Sequence, residues 1–415
     1  RRLLERLGRA VPGGELKGFV RSLGYVVPQE AVLEAAQAAG LSSTVAEGGP
    51  RPALAAYCFD QVGVDELCRL LTSLRHRQGF SQSEMQQLEA TFRKHSSHKG
   101  EITTLVAGKA LRWLGHPLQF QHLQHLVEEV SVDVYGTLDF TMFVKLVRKC
   151  REKEVRRAVQ VFEECDKWGK GCLNSANQLQ AFWRLGCLDQ KGSPPMRTRQ
   201  EQEGVDAGHF VAIVQRHRER SLPALRRNFG FGPLELEKLH EQFDNFDQDH
   251  NGEITRKELV QLIEALFPRY AQALEWRPHL IKLLSEVDAD HSGSLDLPEF
   301  VSLMRRIHDQ EDEESLSSEL DALEELRFSQ QEVHEFRGLF LDADAGGLCR
   351  LRLSQVRLMV SRGCALGERA SLLLEGFFDD AARLSGADRD GDKRVDFVAF
   401  LQIMRRVIKA GLAEL

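Results

Sequence analysis

The sequence predicts an all-α protein built from tandem helix–loop–helix units, set in pairs whose loops are joined by short two-stranded bridges. Three observations carry that expectation. Two twelve-residue, oxygen-rich loops, Asp247–Glu258 and Asp288–Glu299, start 41 positions apart. Apolar residues recur at three- and four-residue spacing on both sides of each loop, the period of one helical face. Two short signatures, one at helix ends and one at helix starts, repeat along the rest of the chain at the spacing of the same unit.

The first loop offers side-chain oxygens from Asp247, Asp249 and Asn251 at positions 1, 3 and 5, and from Glu258 at position 12. The second offers Asp288, Asp290, Ser292 and Glu299 at the same positions. Position 7, held by Glu253 and Ser294, contributes a backbone carbonyl, so its side chain is unconstrained. Position 9, Thr255 and Asp296, acts through a water. Gly252 and Gly293 at position 6 permit the left-handed backbone of a sharp turn. Hard oxygens in this number and order suit Ca2+, which takes six to eight of them at about 2.3–2.6 Å. A bidentate carboxylate at position 12 disfavours the smaller, octahedral Mg2+. Two calcium ions are therefore expected, one per loop.

Leu236, Leu239, Phe243 and Phe246 lead into the first loop, and Leu259, Leu262, Ile263 and Leu266 follow it. Leu280, Leu284 and Val287 precede the second; Phe300, Leu303, Met304 and Ile307 follow. Each set makes one apolar stripe. Ile254 and Leu295, at position 8, should pair as a two-stranded bridge. On these residues the chain resembles the EF-hand superfamily, of the calmodulin, troponin C and centrin type. The complete motif covers residues 233–310.

Taken in order, the remainder reads as worn copies. Helix endings like those of odd-numbered hands appear at Leu23-Gly24, Leu114-Gly115 and Leu185-Gly186, with Arg362-Gly363 one residue late for a loop starting at Asp342. An apolar-Asp pair with Phe four residues after the Asp, the mark of even-numbered hands, appears at Leu138-Asp139, Val205-Asp206, Leu295-Asp296 and Val395-Asp396; Val64-Asp65 lacks its Phe. The pairs fall at 1–78, 79–150, 151–220, 225–310 and 325–412. Pairing is expected because one hand cannot bury its apolar face alone. Residues 42–52 and the acidic stretch Asp309–Ser318 read as connectors, the latter solvated.

Six of the other loops have lost their ligands. The loop from His95 has Lys99 in the cage and Val106 at position 12; that from Ser131 keeps Asp133 and Asp139 but has Tyr135 and Met142 in ligand slots. The loop from Asp166 holds Trp168, Lys170 and Asn177, and that from Thr198 holds Gln200, Gln202 and His209. The first pair keeps only Glu15. In the last pair, Asp342 and Asp344 are followed by Cys349, Arg350 and Leu353. Its partner loop keeps Asp388, Asp390, Asp392 and Asp396 but has Lys393 at position 6 and Ala399 at position 12, leaving either weak ion binding or a turn kept for folding. Asp139, Asp206 and Asp396 at position 9 are better read as helix N-caps than as ligands. Thr255 and Glu258 spell a capping box.

At 415 residues the chain exceeds one core. Charged residues make up 28%, mean hydropathy is −0.33, and no apolar run approaches the eighteen or so residues of a membrane span. A net charge of −7 with scattered Lys and Arg disfavours nucleic acid. Eight cysteines without a CxxC pair, and fourteen histidines without ligand spacing, read as reduced thiols and ordinary histidines of a cytoplasmic protein. The opening Arg1-Arg2 reads as an excerpt of a longer chain, in which a targeting segment would lie upstream. Trp113, Trp168, Trp183 and Trp276 read as core or partner-groove residues. With no HExxH, nucleophile elbow, kinase signature or dinucleotide fingerprint, no enzyme is expected.

Two functions fit. In one, ion binding in 247–299 opens a groove for an amphipathic helix, from a partner protein or from this chain. In the other, the degenerate hands bind partners constitutively and two structural ions stiffen one module; a regulatory part of a longer enzyme or channel is a further variant. The chain has only six methionines, which favours a dedicated partner over a promiscuous groove.

Overall fold

The computed structural model describes residues 20, 27–41, 63–131, 136–187, 204–267, 276–344, 346–363, 367–384 and 393–411. Expectations placed on Glu15, Leu23-Gly24, 42–52, Cys58, Asp133, Tyr135, Thr198, Gln200, Gln202, Cys364 and 388–392 lie outside these residues, as do the side chains of Trp276 and Leu280. Toward the start of the chain the described residues include α1 (Gln29–Ala38), α2 (Val64–His76) and α3 (Gln82–His95). The strand β1 (Ile102–Thr103) leads into α4 (Thr104–Trp113) and α5 (Phe120–Glu128), and β2 (Thr137–Leu138) into α6 (Phe140–Cys165). Next come β3 (Cys172–Leu173), α7 (Ser175–Arg184), β4 (Val205–Asp206) and α8 (Ala207–Arg227). They are followed by α9 (Pro233–Phe246), β5 (Glu253–Ile254), α10 (Arg256–Leu266), α11 (Trp276–Val287), β6 (Leu295–Asp296) and α12 (Leu297–Leu326). The last group is α13 (Gln330–Ala343), β7 (Leu351–Arg352), α14 (Leu353–Gly363), α15 (Glu368–Leu384), β8 (Arg394–Val395) and α16 (Phe397–Lys409). The fold is all-α, with consecutive strands joined as two-stranded sheets, β1–β2, β3–β4, β5–β6 and β7–β8. Among the described residues no helix is long and apolar enough to cross a membrane.

Helix starts follow from local chemistry. Asp139, Asp296 and Asp396 each accept the backbone N–H three residues on, from Met142, Glu299 and Ala399. Asp206 does the same for His209 at 2.8 Å. These are N-caps, each satisfying an orphan amide. Thr255 with Glu258, and Asp296 with Glu299, form reciprocal capping boxes. In α2 the cap is Gly63, and Val64 and Asp65 already lie inside the helix.

The chain divides into two compact units, one of Arg1–Ile102, Leu138–Ala181 and Arg199–Ala212, the other of Thr103–Thr137, Phe182–Thr198 and Ile213–Leu415. In the first, the alanine face of α1 (Ala31, Ala35, Ala36, Ala39) lets Leu67, Leu70 and Leu74 of α2 approach closely. Phe92 packs on Phe140 and Phe143 with ring centroids 5.4 Å apart in both cases, and Phe162 on Phe210 at 5.8 Å. Arg151 lies over the Phe80 ring and pairs with Glu84. Trp168 is 81% exposed, so its core reading is overturned: the loop that presents it turns outward at Gly169 and Gly171, both with positive φ.

Among the described residues of the second unit, two clusters stand out. One surrounds Phe243, Ile254, Leu295 and Phe300; the other surrounds Phe340, Leu351, Val395 and Phe400. Trp183, in the same unit, is 68% exposed and outside the core. Trp113 is capped by the Arg226 guanidinium 4.4 Å from its ring.

The acidic stretch Asp309–Ser318 is not a connector. It is the middle of α12, unbroken over 30 residues. No Gly or Pro interrupts it, and its charges find partners that only the folded chain supplies. Asp309 accepts a hydrogen bond from Arg112 at 2.6 Å, with Lys109 at 3.5 Å and Arg305 at 3.2 Å. Burial pushes the Asp312 carboxyl up to about 6, although Arg112 and Arg305 pull the other way. Burial, with Arg305 adding, lowers His308 to about 4. Further along, Glu319 pairs with Arg337, which is fully buried. Arg337 also donates to Glu128 at 2.8 Å and to Gln121, and lies 4.3 Å from the Phe397 ring centroid.

Two outcomes follow from these charges. Arg337→Ala strands Glu319 and Glu128 in the interior, so urea unfolding should show a loss of about 3–5 kcal/mol. For Asp312, whose folded pKa is raised above 3.8, the stabilising contribution is complete below that value and is lost as pH rises through about 6. Asp312→Asn should therefore be the more stable protein at pH 8, by on the order of 2 kcal/mol. The gap should narrow at pH 5, where the wild-type group takes up its proton on folding; unfolding curves at the two pH values check it.

Candidate metal centre

Asp247 closes the last turn of α9, its N–H bonded to Phe243 at 2.9 Å. Its carboxylate then accepts the N–H groups of Asn251 at 3.2 Å and Gly252 at 2.9 Å. Asp288 repeats this after α11 with Ser292 at 3.0 Å and Gly293 at 3.1 Å. Asp249 accepts from the Asn251 N–H at 3.2 Å, and Asp290 from the Ser292 N–H at 3.0 Å. At the far end Glu258 accepts from Gln248 N–H at 3.1 Å, Thr255 N–H at 2.9 Å and the Thr255 hydroxyl at 2.8 Å. Glu299 likewise takes the N–H groups of Ala289 at 2.9 Å and Asp296 at 3.1 Å. Each position-12 glutamate thus reaches back over its loop while its own N–H is capped.

The bridge falls where the position-8 residues require it. Ile254 sits opposite Leu295 and Glu253 opposite Asp296, and Phe243 and Phe300 meet edge-on beneath it at 5.5 Å. Gly252 and Gly293 take φ of 84° and 80°. A Cβ there would touch nothing, so the demand is conformational alone. His250 and His291, at position 4, also take positive φ, 55° and 58°. Sequence reasoning passed over them; the only available signal was that His tolerates this region better than most residues.

Of the ten residues expected to ligate, the structure brings two carboxylate triads together. Asp247, Asp249 and Glu258 have oxygens within 4.8 Å of one another, as do Asp288, Asp290 and Glu299. Asn251 and Ser292 lie at the same loop centres, with Asn251 Oδ1 accepting the Glu253 N–H at 2.7 Å. The Ser294 hydroxyl donates to the Glu253 carboxylate across the two loops and lies 3.2 Å from the Ser292 hydroxyl. Burial pushes Asp247 up, but the Gly252 N–H, Asp249 and the Asn251 N–H outweigh it and hold its pKa below the usual range. The Thr255 N–H and hydroxyl do the same for Glu258, and the Ser292 N–H and hydroxyl for Asp290. Converging hard oxygens, with these three held ionised at neutral pH, fit a calcium ion.

The loop from Asp166 shares the frame without the donors. Asp166 accepts the N–H groups of Lys170 at 3.1 Å and Gly171 at 2.7 Å, as Asp247 does at the same offsets, yet Trp168 stands in a ligand slot. Leu173 pairs with Val205 in the matching bridge.

One register differs from expectation. In the last pair the loop starts at Asp344, not Asp342. Asp344 caps the end of α13 and accepts from Leu348 at 3.1 Å and Cys349 at 2.6 Å, the four- and five-residue offsets of a first position. Leu351 then pairs with Val395, position 8 against position 8, and Phe340 occupies the place of Phe243. Asp342 is exposed on α13. Two nearby aspartates made the start ambiguous, and the bridge decides it. Position 12 becomes Gln355, whose side chain accepts the Arg352 N–H at 2.9 Å and donates to the Ala343 carbonyl at 2.7 Å, an uncharged stand-in for the closing glutamate. In the partner loop Lys393 turns out to Asp379 at 3.0 Å.

Comparison with known proteins agrees with the geometry. A family model described as an EF-hand domain pair matches residues 236–305. The chain is similar to a probable calcium-binding protein, CML13, of Oryza sativa subsp. japonica, 26% identical over 197 residues, which is 47% of this chain and 97% of the relative. It is also similar to troponin C, isoallergen Bla g 6.0101, of Blattella germanica, 27% identical over 172 residues, 41% of this chain and 95% of the relative.

Titration calorimetry of the whole chain should count two calcium sites. Glu258→Gln or Glu299→Gln, each removing a bidentate carboxylate, should leave one, and the double variant none; tight binding surviving in the double variant would place the ion elsewhere.

Proposed function

With residues 236–305 an EF-hand domain pair and the chain an EF-hand protein, we propose that it is a non-catalytic, cytoplasmic calcium sensor that passes ion binding to contacts within its own chain and to a helical partner. Asp247, Asp249, Asn251, Glu253 and Glu258 would hold one ion, and Asp288, Asp290, Ser292, Ser294 and Glu299 a second. The hands are grouped as five pairs near 1–78, 79–150, 151–220, 225–310 and 325–412. Bound calcium supplies two positive charges at each loop, where the carboxylates otherwise lean on backbone amides.

The observation that carries this reading is the span of α12. Its first turn contains Glu299, and the same unbroken helix carries Asp309 to Arg112 and Lys109 of α4 and Glu319 to Arg337 of α13. Glu299 accepts the Ala289 and Asp296 amides across its loop, so an ion drawn onto its carboxylate bears directly on the first turn of α12. A turn of α12 at its start is felt along its length, because a helix is stiff over this distance. Of the α4 contacts the Lys109–Asp309 pair is the responsive one: Lys109 is half-exposed, and surface pairs contribute only about 0–1 kcal/mol.

The constitutive-scaffold reading has its own support in Arg337. Its buried ion pairs with Glu128 and Glu319 need no metal and tie α5, α12 and α13 together.

Hydrogen exchange of the full chain, with and without calcium, separates the two. A sensor should change protection in residues 104–113 and 305–320 as well as in the loops, and Asp309→Asn should shift the calcium dependence of that change. Changes limited to 247–299 would leave the scaffold.

A further inference from the structure

Away from the calcium loops, two histidines and a glutamate meet where α5 packs on α13. His125 and Glu128 stand one turn apart on α5, and His334 comes from α13. His334 Nδ1 lies 2.8 Å from Glu128 Oε2, and His125 Nδ1 lies 3.9 Å from the same oxygen. One donor atom from each residue falls within 4.8 Å of the other two. The imidazoles lie nearly parallel, 12° apart, with centroids separated by 4.8 Å. Glu129 adds a carboxylate 3.8 Å from His125 Nε2.

We propose that His125, Glu128 and His334 form a binding site for a transition-metal dication of the zinc class, distinct from the calcium loops. Three features point there. The donor set, two imidazoles and one carboxylate, suits borderline ions such as Zn2+ rather than Ca2+, which takes oxygen alone. The spacing is close to what is needed: tetrahedral zinc, with bonds near 2.0–2.2 Å, keeps its donors about 3.4 Å apart. The 2.8 Å and 3.9 Å separations bracket that value. His334 must turn about its Cβ–Cγ bond so that its lone pair converges with that of His125, and at 38% side-chain exposure it has room to do so.

The charge balance is the third feature. Arg337 brings one positive charge against the carboxylates of Glu128 and Glu319, and Glu129 adds a further negative charge at the edge. The Glu128, Glu129 and Glu319 carboxylates thus gather beside the two imidazoles, a setting that favours a cation. Arg337 also holds Glu128 Oε1 at 2.8 Å, leaving Oε2 turned to the histidines. Fixing a ligating carboxylate through its second oxygen is the usual work of an outer partner in a metal site. The ion would pin α5 to α13 beside the Arg337 pairs, and Glu129 or a water would complete the tetrahedron.

The test uses the full chain saturated with calcium, so that the hand loops are occupied. Zinc titration should give one site, and cobalt in its place should give visible ligand-field bands without a thiolate charge-transfer band. His334→Gln keeps an N–H for Glu128 but cannot ligate; it should fold as wild type by circular dichroism and weaken zinc by more than about a hundredfold, beyond the loss expected for removing only a supporting residue. His125→Gln should behave likewise. Zinc affinity unchanged in both variants, a thiolate cobalt spectrum, or no zinc binding to the calcium-loaded protein would each overturn the assignment. Because the Glu258→Gln, Glu299→Gln protein keeps this cluster, it should still take one zinc.

Discussion

Among the described residues, paired loops are held by a bridge two residues long with a pair of phenylalanines beneath it. Ile254 opposes Leu295 and Leu351 opposes Val395, while Phe243 meets Phe300 and Phe340 meets Phe400 at 5.5 Å. The same arrangement recurs in the other unit at Leu173, Val205, Phe162 and Phe210. A helix–loop–helix on its own exposes its apolar stripe; joining two through their loops buries both. Buried aromatic pairs contribute about 0.5–1.5 kcal/mol beyond their area, and burying the ring itself contributes more.

In four of the described loops the inward amides are satisfied by a carboxylate of the loop itself. A tight turn aims several N–H groups inward, and such groups need acceptors. The first-position aspartate supplies them: Asp166, Asp247, Asp288 and Asp344 each accept from the residues four and five ahead. That explains how a hand with Trp168 or Leu348 in a ligand slot can still fold and pair. Ligand loss and loop collapse are separate events. The first concerns oxygens at positions 3, 5 and 12; the second concerns one carboxylate and a residue able to take positive φ.

Charge is used differently beyond the loops. Asp309 and Glu319 lie on one continuous helix, ten residues apart, and face different partners, the first a half-open cluster with Arg112 and Arg305, the second the buried Arg337. A fully buried ion pair is costly to desolvate and so specifies geometry more than it stabilises. The Asp309 cluster is less enclosed, with Lys109 half-exposed at its edge. One helix therefore carries a fixed anchor at its far end and a looser contact nearer the calcium pair.

Much of the candidate site was legible in the residues. Asp247 to Glu258 and Asp288 to Glu299 declare themselves because their meaning is local: donor types at fixed offsets, a glycine where φ turns positive, an N-cap just before the helix. The Ile254–Leu295 bridge and the caps at Asp139, Asp206 and Asp396 follow from the same short-range rules. Other features were not legible, and for one reason. The start of the last odd-numbered loop at Asp344 depends on which strand residue faces Val395. The burial of Asp309 and Glu319 depends on Arg112 and Arg337, and the grouping of His125 and Glu128 with His334 on α5 packing against α13. None of these partners is a near neighbour in the chain. Short-range hydrogen bonding and periodicity write the hands into the sequence; which charges are buried and which histidines meet is decided only when distant helices pack.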